Sequence, residues 1–182
     1  MDILERAIEV AAKAHRKQLR KGTDDVPYIS HPYSVGVILL KAGCPDEWVA
    51  AGILHDTLED TDLNLTSLTQ QFGENIARIV SGCSEPDKSL SWEKRKQHTL
   101  DFLKSAENDI KVVTCADKLA NIRTINEEHQ IIGEKVWDRF NRGREKQEWY
   151  YRGLVDSLET GYDERFIATL KDLKSEVTRL FG

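Results

Sequence analysis

Residues 53–61 read ILHDTLEDT, and they place four ionisable groups inside a segment that otherwise has the composition of a buried helix. A helix turns about 100° per residue, so the charged residues of this stretch share one side of it. That side carries His55, Asp56, Glu59 and Asp60. The opposite side carries the apolar residues Ala50, Ala51, Leu54 and Leu58. The stretch therefore predicts a helix with one face in the core and another face of acid and imidazole groups.

The charged face of this helix has two interpretations. A face of charged residues is ordinarily a solvated surface. Here, however, three carboxylates repel one another, and a single histidine compensates them only if it is protonated or if a cation joins the group. A divalent metal removes the repulsion. Gly52 precedes these residues by one turn on the same side, and we expect it to leave space there for an ion or a ligand.

A metal site needs more ligands than one His-Asp pair supplies, and two other segments offer them. His31 begins a predicted helix in YISHP. Asp117 lies in TCADKLANIRT among apolar neighbours, where an unpaired carboxylate is unfavourable. Thr114, Asn121 and Thr124 fall on the same side of that helix as Asp117. Two imidazoles and two carboxylates suit Mn²⁺, Fe²⁺ or Zn²⁺, with positions left for water and phosphate.

The composition predicts one all-α domain. The chain has 182 residues, of which 40% are hydrophobic and 31% charged, and 4 prolines and 11 glycines interrupt long stretches of helix-forming residues. This length is sufficient for one domain with a core and short for two, so we expect a single domain over residues 1–182. The net charge of −5 argues against nonspecific binding to nucleic acid or anionic membranes.

The sequence carries no mark of export or membrane insertion. It has no run of about 18 apolar residues, and the N-terminal MDILERAIEVAAKAH contains acids, unlike a signal peptide. We therefore expect a cytoplasmic protein without a membrane or nucleic-acid partner, and the sequence predicts no particular oligomeric state. Cys44, Cys83 and Cys115 form no CxxC pair, so we expect reduced cysteines that pack in the core.

Apolar spacing and turn residues divide the chain into helices. The first is predicted over residues 2 to about 20, and the loop RKGTDDVPYISHP follows it. Further helices are predicted over residues 30–41, 46–59, 66–73, 75–85, 91–105, 109–128, 144–159 and 163–181. No alternation of polar and apolar residues is long enough to predict a strand.

Six segments, in this order, carry a resemblance to a known family: AHRKQLRKG, PYISHPYSVGVILLKAG, AAGILHDTLEDT, FGENIARIVSGCSE, WEKRK and ADKLANIRT. They resemble the HD-domain phosphohydrolases, in particular the hydrolase domain of the RelA/SpoT alarmone enzymes and its single-domain relatives, the small alarmone hydrolases of the Mesh1 type. The resemblance extends over residues 5–160. HDxxEDT with an upstream YIxHP and a downstream ADKLxN is a specific combination, and it implies an all-α HD fold with a central metal site.

The resemblance also implies roles for individual residues. The ligands of one Mn²⁺ would be His31, His55, Asp56 and Asp117. Glu59 and Asp60 match the acidic pair that handles the attacking water and the proton transfer. The residues that match the substrate pocket are Arg20, Lys21, Lys96, Asn121 and Thr124. For Arg20, Lys21 and Lys96, ordinary surface charge is the alternative interpretation.

The activity implied by the resemblance is metal-dependent hydrolysis of the 3′-pyrophosphate of guanosine tetra- or pentaphosphate, (p)ppGpp. The products would be GDP or GTP and pyrophosphate. Two alternatives stay open: hydrolysis of another nucleotide, for instance removal of a phosphate from NADPH, and a nucleotide-binding sensor with slow turnover. The pair Glu59 and Asp60 argues against a pure sensor, because binding alone needs no acids that activate water.

Two departures from the family pattern concern the substrate. Many long alarmone hydrolases carry serine after the Arg-Lys pair, whereas this chain has Gly22 followed by TDDV, which changes the expected base pocket. A tyrosine that some relatives place against the nucleotide falls at Lys146, with Trp149, Tyr150 and Tyr151 just beyond it. These aromatic residues either stack on the nucleotide or pack in the core, and we expect core packing.

Overall fold

Helices make up nearly all of the regular structure in the computed structural model, which describes residues 2–20, 25–85 and 88–182. In chain order they are α1 (Ile3–Ala14), α2 (Ser30–Lys41), α3 (Asp46–Leu54), α4 (Thr57–Asp60), α5 (Leu65–Cys83), α6 (Trp92–Ser105), α7 (Asn108–Ile132), α8 (Gly143–Glu159) and α9 (Ile167–Phe181). Two 3₁₀ helices, Gly133–Arg139 and Glu164–Phe166, precede α8 and α9. The prediction of an all-α fold is confirmed.

Helix α7 is the central element of the bundle. It is 25 residues long, and its buried residues run from Asp109 to Asn126. It contacts α2, α3, α5 and α9, while α3 also contacts α1, α2 and α5. Because α2, α3 and α7 all contact one another, side chains from the start of α2, the end of α3 and the middle of α7 can meet at one point.

Helix α1 is shorter than the sequence predicted. It ends at Ala14 rather than near residue 20. The backbone N–H of Arg20 donates to Val26 O, and that of Tyr28 donates to Gln18 O, both at 2.9 Å. Residues at the two ends of the following loop therefore pair with each other in an antiparallel manner. The Arg20 N–H and the Gln18 carbonyl oxygen are therefore bonded across the loop and not within a helix.

The predicted helix over residues 46–59 is divided into α3 and α4 at His55 and Asp56. Two side chains take up carbonyl groups at this junction. His55 Nδ1 lies 2.7 Å from the Gly52 carbonyl oxygen, and Thr57 Oγ1 donates to the Leu54 carbonyl oxygen, also at 2.7 Å. Such donors compete with backbone N–H groups for the same acceptors. His55 and Asp56 keep helical dihedral angles, so the charged face retains its approximate arrangement.

The remaining helices begin and end close to the predicted positions. The break predicted at Gly73 lies inside α5, where Gly73 has φ +83°, a conformation that favours glycine. Helix α7 continues to Ile132, somewhat beyond the predicted end at residue 128. Among the residues that the structure describes, no helix is both long enough and apolar enough to cross a lipid bilayer.

Candidate metal centre and active site

Two imidazole rings face each other where α2 begins and α3 ends. His31 and His55 are both buried, and their ring centroids lie 5.2 Å apart in an edge-on arrangement. His55 Nδ1 lies 2.7 Å from the Gly52 carbonyl oxygen. Since a carbonyl oxygen only accepts, Nδ1 carries the proton and Nε2 presents a lone pair to the interior. Among the described residues, His55 Nε2 has no hydrogen-bond partner.

Two carboxylates meet these imidazoles at the same point. Asp117 Oδ1 lies 3.0 Å from His31 Nε2 and 3.5 Å from His55 Nε2. Asp56 Oδ2 lies 3.0 Å from His55 Nε2 and 3.7 Å from His31 Nε2. The ligand atoms of His31, His55 and Asp117 all lie within 4.8 Å of one another. The structure thus brings together the four residues that the sequence predicted as metal ligands.

The electrostatics of this cluster favour a cation. Burial alone would lower the pKa of His55, but Asp56 and Asp117 outweigh it and raise that pKa well above its usual value. Burial alone would raise the pKa of Asp56, but His55 outweighs it and the pKa of Asp56 falls. Without an ion, the two carboxylates favour a proton on His55, and a cation bound at this point would replace that proton. Imidazole nitrogens and carboxylate oxygens directed at one point fit a divalent ion such as Mn²⁺, Fe²⁺ or Zn²⁺.

Tyr28, Lys118 and Asn121 hold the two carboxylates in place. The Tyr28 hydroxyl donates to Asp56 Oδ2. Lys118 Nζ lies 2.6 Å from Asp117 Oδ2, and Asn121 Nδ2 donates to Asp117 Oδ1 at 2.7 Å. Sequence reasoning gave no role to Tyr28 or Lys118, although each stands inside a quoted motif, three residues before His31 and directly after Asp117. Such partners orient ligands and are part of a metal site.

Gly52 does not have the predicted role. A Cβ atom built there would lie 2.3 Å from Leu39 Cδ1 and 3.3 Å from Val35 Cγ1. Side chains of α2 therefore fill the space that the sequence assigned to an ion or a ligand, and that prediction was wrong. Gly52 instead allows α2 and α3 to pack closely, and its carbonyl group orients His55.

The acidic pair on α4 divides into two different environments. Glu59 is mostly buried, lies at the same cavity as Asp56, and accepts a hydrogen bond from the Glu85 N–H on Oε2 at 3.2 Å. Burial raises the pKa of Glu59 above its usual value, and the neighbouring carboxylate of Glu85 adds to this effect. Asp60 is more exposed, and its Oδ1 lies 3.1 Å from Lys88 Nζ. Glu59 therefore has the environment expected of a base.

Two cavities meet beside the metal centre. The metal cavity has a volume of about 500 Å³, and its lining includes Tyr28, His31, Asp56, Glu59, Glu85 and Asp117. The outer cavity has a volume of about 680 Å³, and its lining includes Arg20, Asp60, Trp92, Arg139 and Arg142. Residues that line both are Tyr28, Lys96, Lys118, Asn121 and Tyr150. Because two lysines lie at this boundary, an anionic group placed there meets positive charge.

The structure places several predicted substrate-binding residues at these cavities. Arg20 lines the outer cavity, and its Nη2 donates to Thr124 Oγ1 at 3.4 Å. Thr124 Oγ1 also donates to the Ala120 carbonyl oxygen at 3.2 Å, so its contact with the site passes through Arg20. Lys96 and Asn121 line both cavities. Lys21 and residues 22–24 of the predicted insertion lie outside the described residues.

The aromatic residues near the start of α8 mainly pack in the core, as expected. Tyr150 and Tyr151 are buried, whereas Trp149 is 38% exposed. Tyr150 also faces both cavities, and Lys96 Nζ lies 4.9 Å from the centroid of its ring. Lys146 Nζ lies 5.9 Å from the centroid of the Trp149 ring.

Comparison with known proteins identifies the family. The model of the HD domain family matches residues 7–140. The guanosine-3′,5′-bis(diphosphate) 3′-pyrophosphohydrolase MESH1 of Danio rerio is 38% identical over 126 residues, which are 68% of this chain and 69% of that protein. The MESH1 protein of Drosophila melanogaster is 34% identical over 171 residues, 87% of this chain and 90% of that protein.

A solved structure extends the similarity to nearly the whole fold. It is described as a metazoan orthologue of SpoT that hydrolyses ppGpp, and it is 26% identical with a TM-score of 0.80. The match covers 97% of this chain and 96% of the other. The chain therefore belongs to the HD-domain family of phosphohydrolases, and within that family to the RelA/SpoT hydrolase type that includes the Mesh1 proteins.

Proposed function

We propose that this protein hydrolyses (p)ppGpp in a metal-dependent reaction, removing the 3′-pyrophosphate and leaving GDP or GTP. One observation carries the proposal: the imidazole and carboxylate groups of His31, His55, Asp56 and Asp117 meet beside a cavity whose boundary carries two lysines. The choice of substrate is supported by the two MESH1 relatives, which are named for this activity.

We propose Mn²⁺ as the ion, held by His31, His55, Asp56 and Asp117. The same donor set suits Fe²⁺ and Zn²⁺, so the identity of the ion is a separate part of the proposal. When bound, such an ion lowers the pKa of water and polarises a phosphoryl oxygen.

Glu59 acts as the base in this proposal. Its Oε2 accepts the Glu85 N–H and its Oε1 lies 3.8 Å from Lys88 Nζ, and these contacts hold the carboxylate at the cavity where it receives a proton from the attacking water. Burial raises the pKa of its carboxyl group, which makes Glu59 a stronger base than an exposed glutamate. Asp60, which is 40% exposed and lines the outer cavity, exchanges protons with solvent. Burial raises the pKa of Cys83 to about 11, so this thiol of the metal cavity is protonated and is a weak nucleophile. Direct attack by water therefore fits better than a covalent intermediate on Cys83.

The remaining polar residues bind and orient the nucleotide. Lys96 and Lys118 meet the phosphate groups at the boundary of the two cavities. Arg20 and Asn121 line the outer cavity and bind the nucleoside half, and Thr124 takes part by its contact with Arg20. Lys21, the next residue after Arg20 in the sequence, is also assigned to substrate binding. The larger volume of the outer cavity, about 680 Å³, supports its assignment to the nucleoside.

We also propose that residues 1–182 form one domain that works in the cytoplasm. One cooperative transition in calorimetry tests the first statement, because independent domains unfold in separate steps. Cell fractionation tests the second.

A product assay tests the proposed activity. The purified protein is incubated with Mn²⁺ and, separately, with ppGpp, NADPH and deoxynucleotides, and the phosphate product is identified by chromatography. Pyrophosphate released from ppGpp supports the proposal. Orthophosphate released from NADPH, or no product from any nucleotide, contradicts it in favour of a phosphatase or a sensor. Protein stripped of metal with EDTA, with and without added Mn²⁺, is the matched control.

A further inference from the structure

Glu85 lies just beyond the end of α5 and lines the metal cavity. Only 10% of its side chain is exposed. Its Oε2 contacts Nη1 of Arg95, and its Oε1 accepts a hydrogen bond from Lys96 Nζ at 2.6 Å. These two cations outweigh burial and lower the pKa of Glu85, so the residue is a carboxylate. One carboxylate and two cations leave one positive charge in excess beside the cavity.

Lys96 is fixed from two sides by these contacts. Its ammonium group binds Glu85, and the same Nζ atom lies 4.9 Å from the ring centroid of the buried Tyr150. A lysine side chain normally moves among many rotamers. Because a carboxylate and an aromatic face both hold this ammonium group, Lys96 presents its charge at one place on the boundary of the two cavities.

The backbone of Glu85 contacts the proposed base. Its N–H donates to Glu59 Oε2 at 3.2 Å. Glu85 therefore binds Glu59 of α4 through its backbone and Lys96 of α6 through its side chain. Glu85 therefore links the proposed base directly to the ammonium group proposed to bind phosphate.

We propose that Glu85 is a positioning residue, which fixes Lys96 relative to Glu59 so that phosphate and attacking water are held in a productive geometry. The inference rests on the proposed function. A solvent-exposed ion pair of this kind would contribute little. The side chains of Glu85, Arg95 and Lys96, however, are 10%, 24% and 19% exposed, so solvent screens their charges only in part.

A double-mutant cycle tests the inference. Glu85→Gln keeps the size of the side chain and its backbone N–H but removes the charge that holds Lys96. We expect kcat for ppGpp to fall about tenfold or more, with KM changed less than about threefold, because misplaced groups slow the chemical step while the charge of Lys96 remains. Lys96→Met lowers kcat as well, and the double variant is expected to have nearly the kcat of Lys96→Met alone.

Asp101→Asn is the matched control, since Asp101 is an exposed carboxylate of α6 that pairs with Lys104. It should retain wild-type kinetics. Thermal unfolding of all the variants shows whether they are folded. An unchanged kcat in Glu85→Gln, or losses in the two single variants that multiply in the double variant, would overturn the positioning role.

The same cycle separates this inference from the proposed function. If the wild-type protein releases no pyrophosphate from ppGpp, the proposed substrate is wrong, and the cycle is run on the nucleotide of the panel that is hydrolysed. If none is hydrolysed, calorimetric titration with inorganic pyrophosphate replaces turnover. Non-additive losses of pyrophosphate affinity then support the coupling of Glu85 to Lys96, whereas additive losses or no binding by the wild-type protein contradict it.

Discussion

His55 Nδ1 lies 2.7 Å from the carbonyl oxygen of Gly52, and this contact fixes which nitrogen of the ring faces the metal centre. In the neutral ring, a proton on Nδ1 leaves the lone pair on Nε2, which lies 3.0 Å from Asp56 Oδ2 and 3.5 Å from Asp117 Oδ1. An interaction inside a single helical turn thus sets the tautomer of a proposed metal ligand. The backbone of α3 thereby prepares His55 for a cation before any ion arrives.

Replacement of Asp56 should remove metal and activity together. Asp56→Ala deletes a carboxylate that faces both imidazoles, so we expect metal affinity to fall more than about 100-fold. This loss is larger than the loss that typically follows replacement of a residue that only hydrogen-bonds to a ligand. Metal content after dialysis, measured by mass spectrometry, and turnover of ppGpp check this. Asp62→Ala changes an exposed acid of the same segment and should keep both properties. Full metal occupancy in Asp56→Ala would remove Asp56 from the ligand set.

Replacement of Glu59 should separate chemistry from metal binding. Glu59→Gln retains the shape of the side chain but cannot accept a proton, so we expect kcat to fall about 10²- to 10⁴-fold while the metal stays bound. The same two measurements, metal content and turnover, check this result. Glu74→Gln, on an exposed face of α5, is the control. Loss of metal equal to that of Asp56→Ala would mean that Glu59 is a ligand rather than the base.

Tyr28→Phe should weaken the metal centre without removing a ligand. The hydroxyl of Tyr28 donates to Asp56 Oδ2, and partners of this kind typically contribute about 10- to 100-fold to metal affinity or activity. Titration with Mn²⁺ followed by turnover measures the effect. Tyr33→Phe removes a hydroxyl of α2 that donates instead to the Ile8 carbonyl oxygen, so it should behave like the wild-type protein. Equal behaviour of the two variants would contradict the role of Tyr28.

Lys111 stabilises the ends of two helices at once. Its buried ammonium group donates to the Thr160 carbonyl oxygen at 2.5 Å and lies 3.5 Å from that of Lys104, near the C-termini of α8 and α6. Lys111→Met leaves these carbonyl groups without the donor, so we expect the free energy of unfolding to fall by about 1–3 kcal/mol. Urea denaturation checks this. Lys104→Met, an exposed lysine on α6, should cost less than about 0.5 kcal/mol.

The free energy of unfolding should decrease at alkaline pH because the thiol of Cys115 is buried. Burial raises the pKa of Cys115 from its usual 9.0 to about 12 in the folded protein. The unfolded chain therefore loses this proton first, so the contribution is intact below about pH 9 and declines as the pH rises towards the folded value. At pH 10 the free energy of unfolding has lost about 1.4 kcal/mol of this contribution. Urea midpoints between pH 8 and 10 should fall more steeply for the wild-type protein than for Cys115→Ala, and parallel slopes would contradict the assignment.

The sequence could indicate which residues meet at the candidate metal centre because each stands in an unusual place for a charged residue. Asp117 lies among Ala116 and Leu119 on a helix that is buried along most of its length, and this conflict with burial is visible without a structure. His55 and Asp56 were placed on one face by helical periodicity alone. The break of the helix between them could not be predicted, because it arises from side-chain donors and leaves helical dihedral angles in place.

Contacts between residues that are distant in the sequence explain where the structure differs from the predictions. Helix α1 was extended too far because the pairing of Gln18 with Tyr28 depends on the chain folding back. Gly52 was assigned open space because a helical wheel contains no information about Leu39 of the neighbouring helix. The role of Glu85 likewise depends on α4, α5 and α6 meeting at one point.

The bridge between Leu19 and Pro27, with the backbone hydrogen bonds on either side of it, joins the two ends of the segment that lies between these residues. These contacts are made by backbone groups, so they do not depend on the side chains of the segment. Insertions and substitutions between residues 20 and 26 can therefore accumulate in evolution while Tyr28 and His31 keep their positions. In the proposed site, a substitution of Arg20 would therefore change nucleotide preference without moving the side chains proposed to bind the metal.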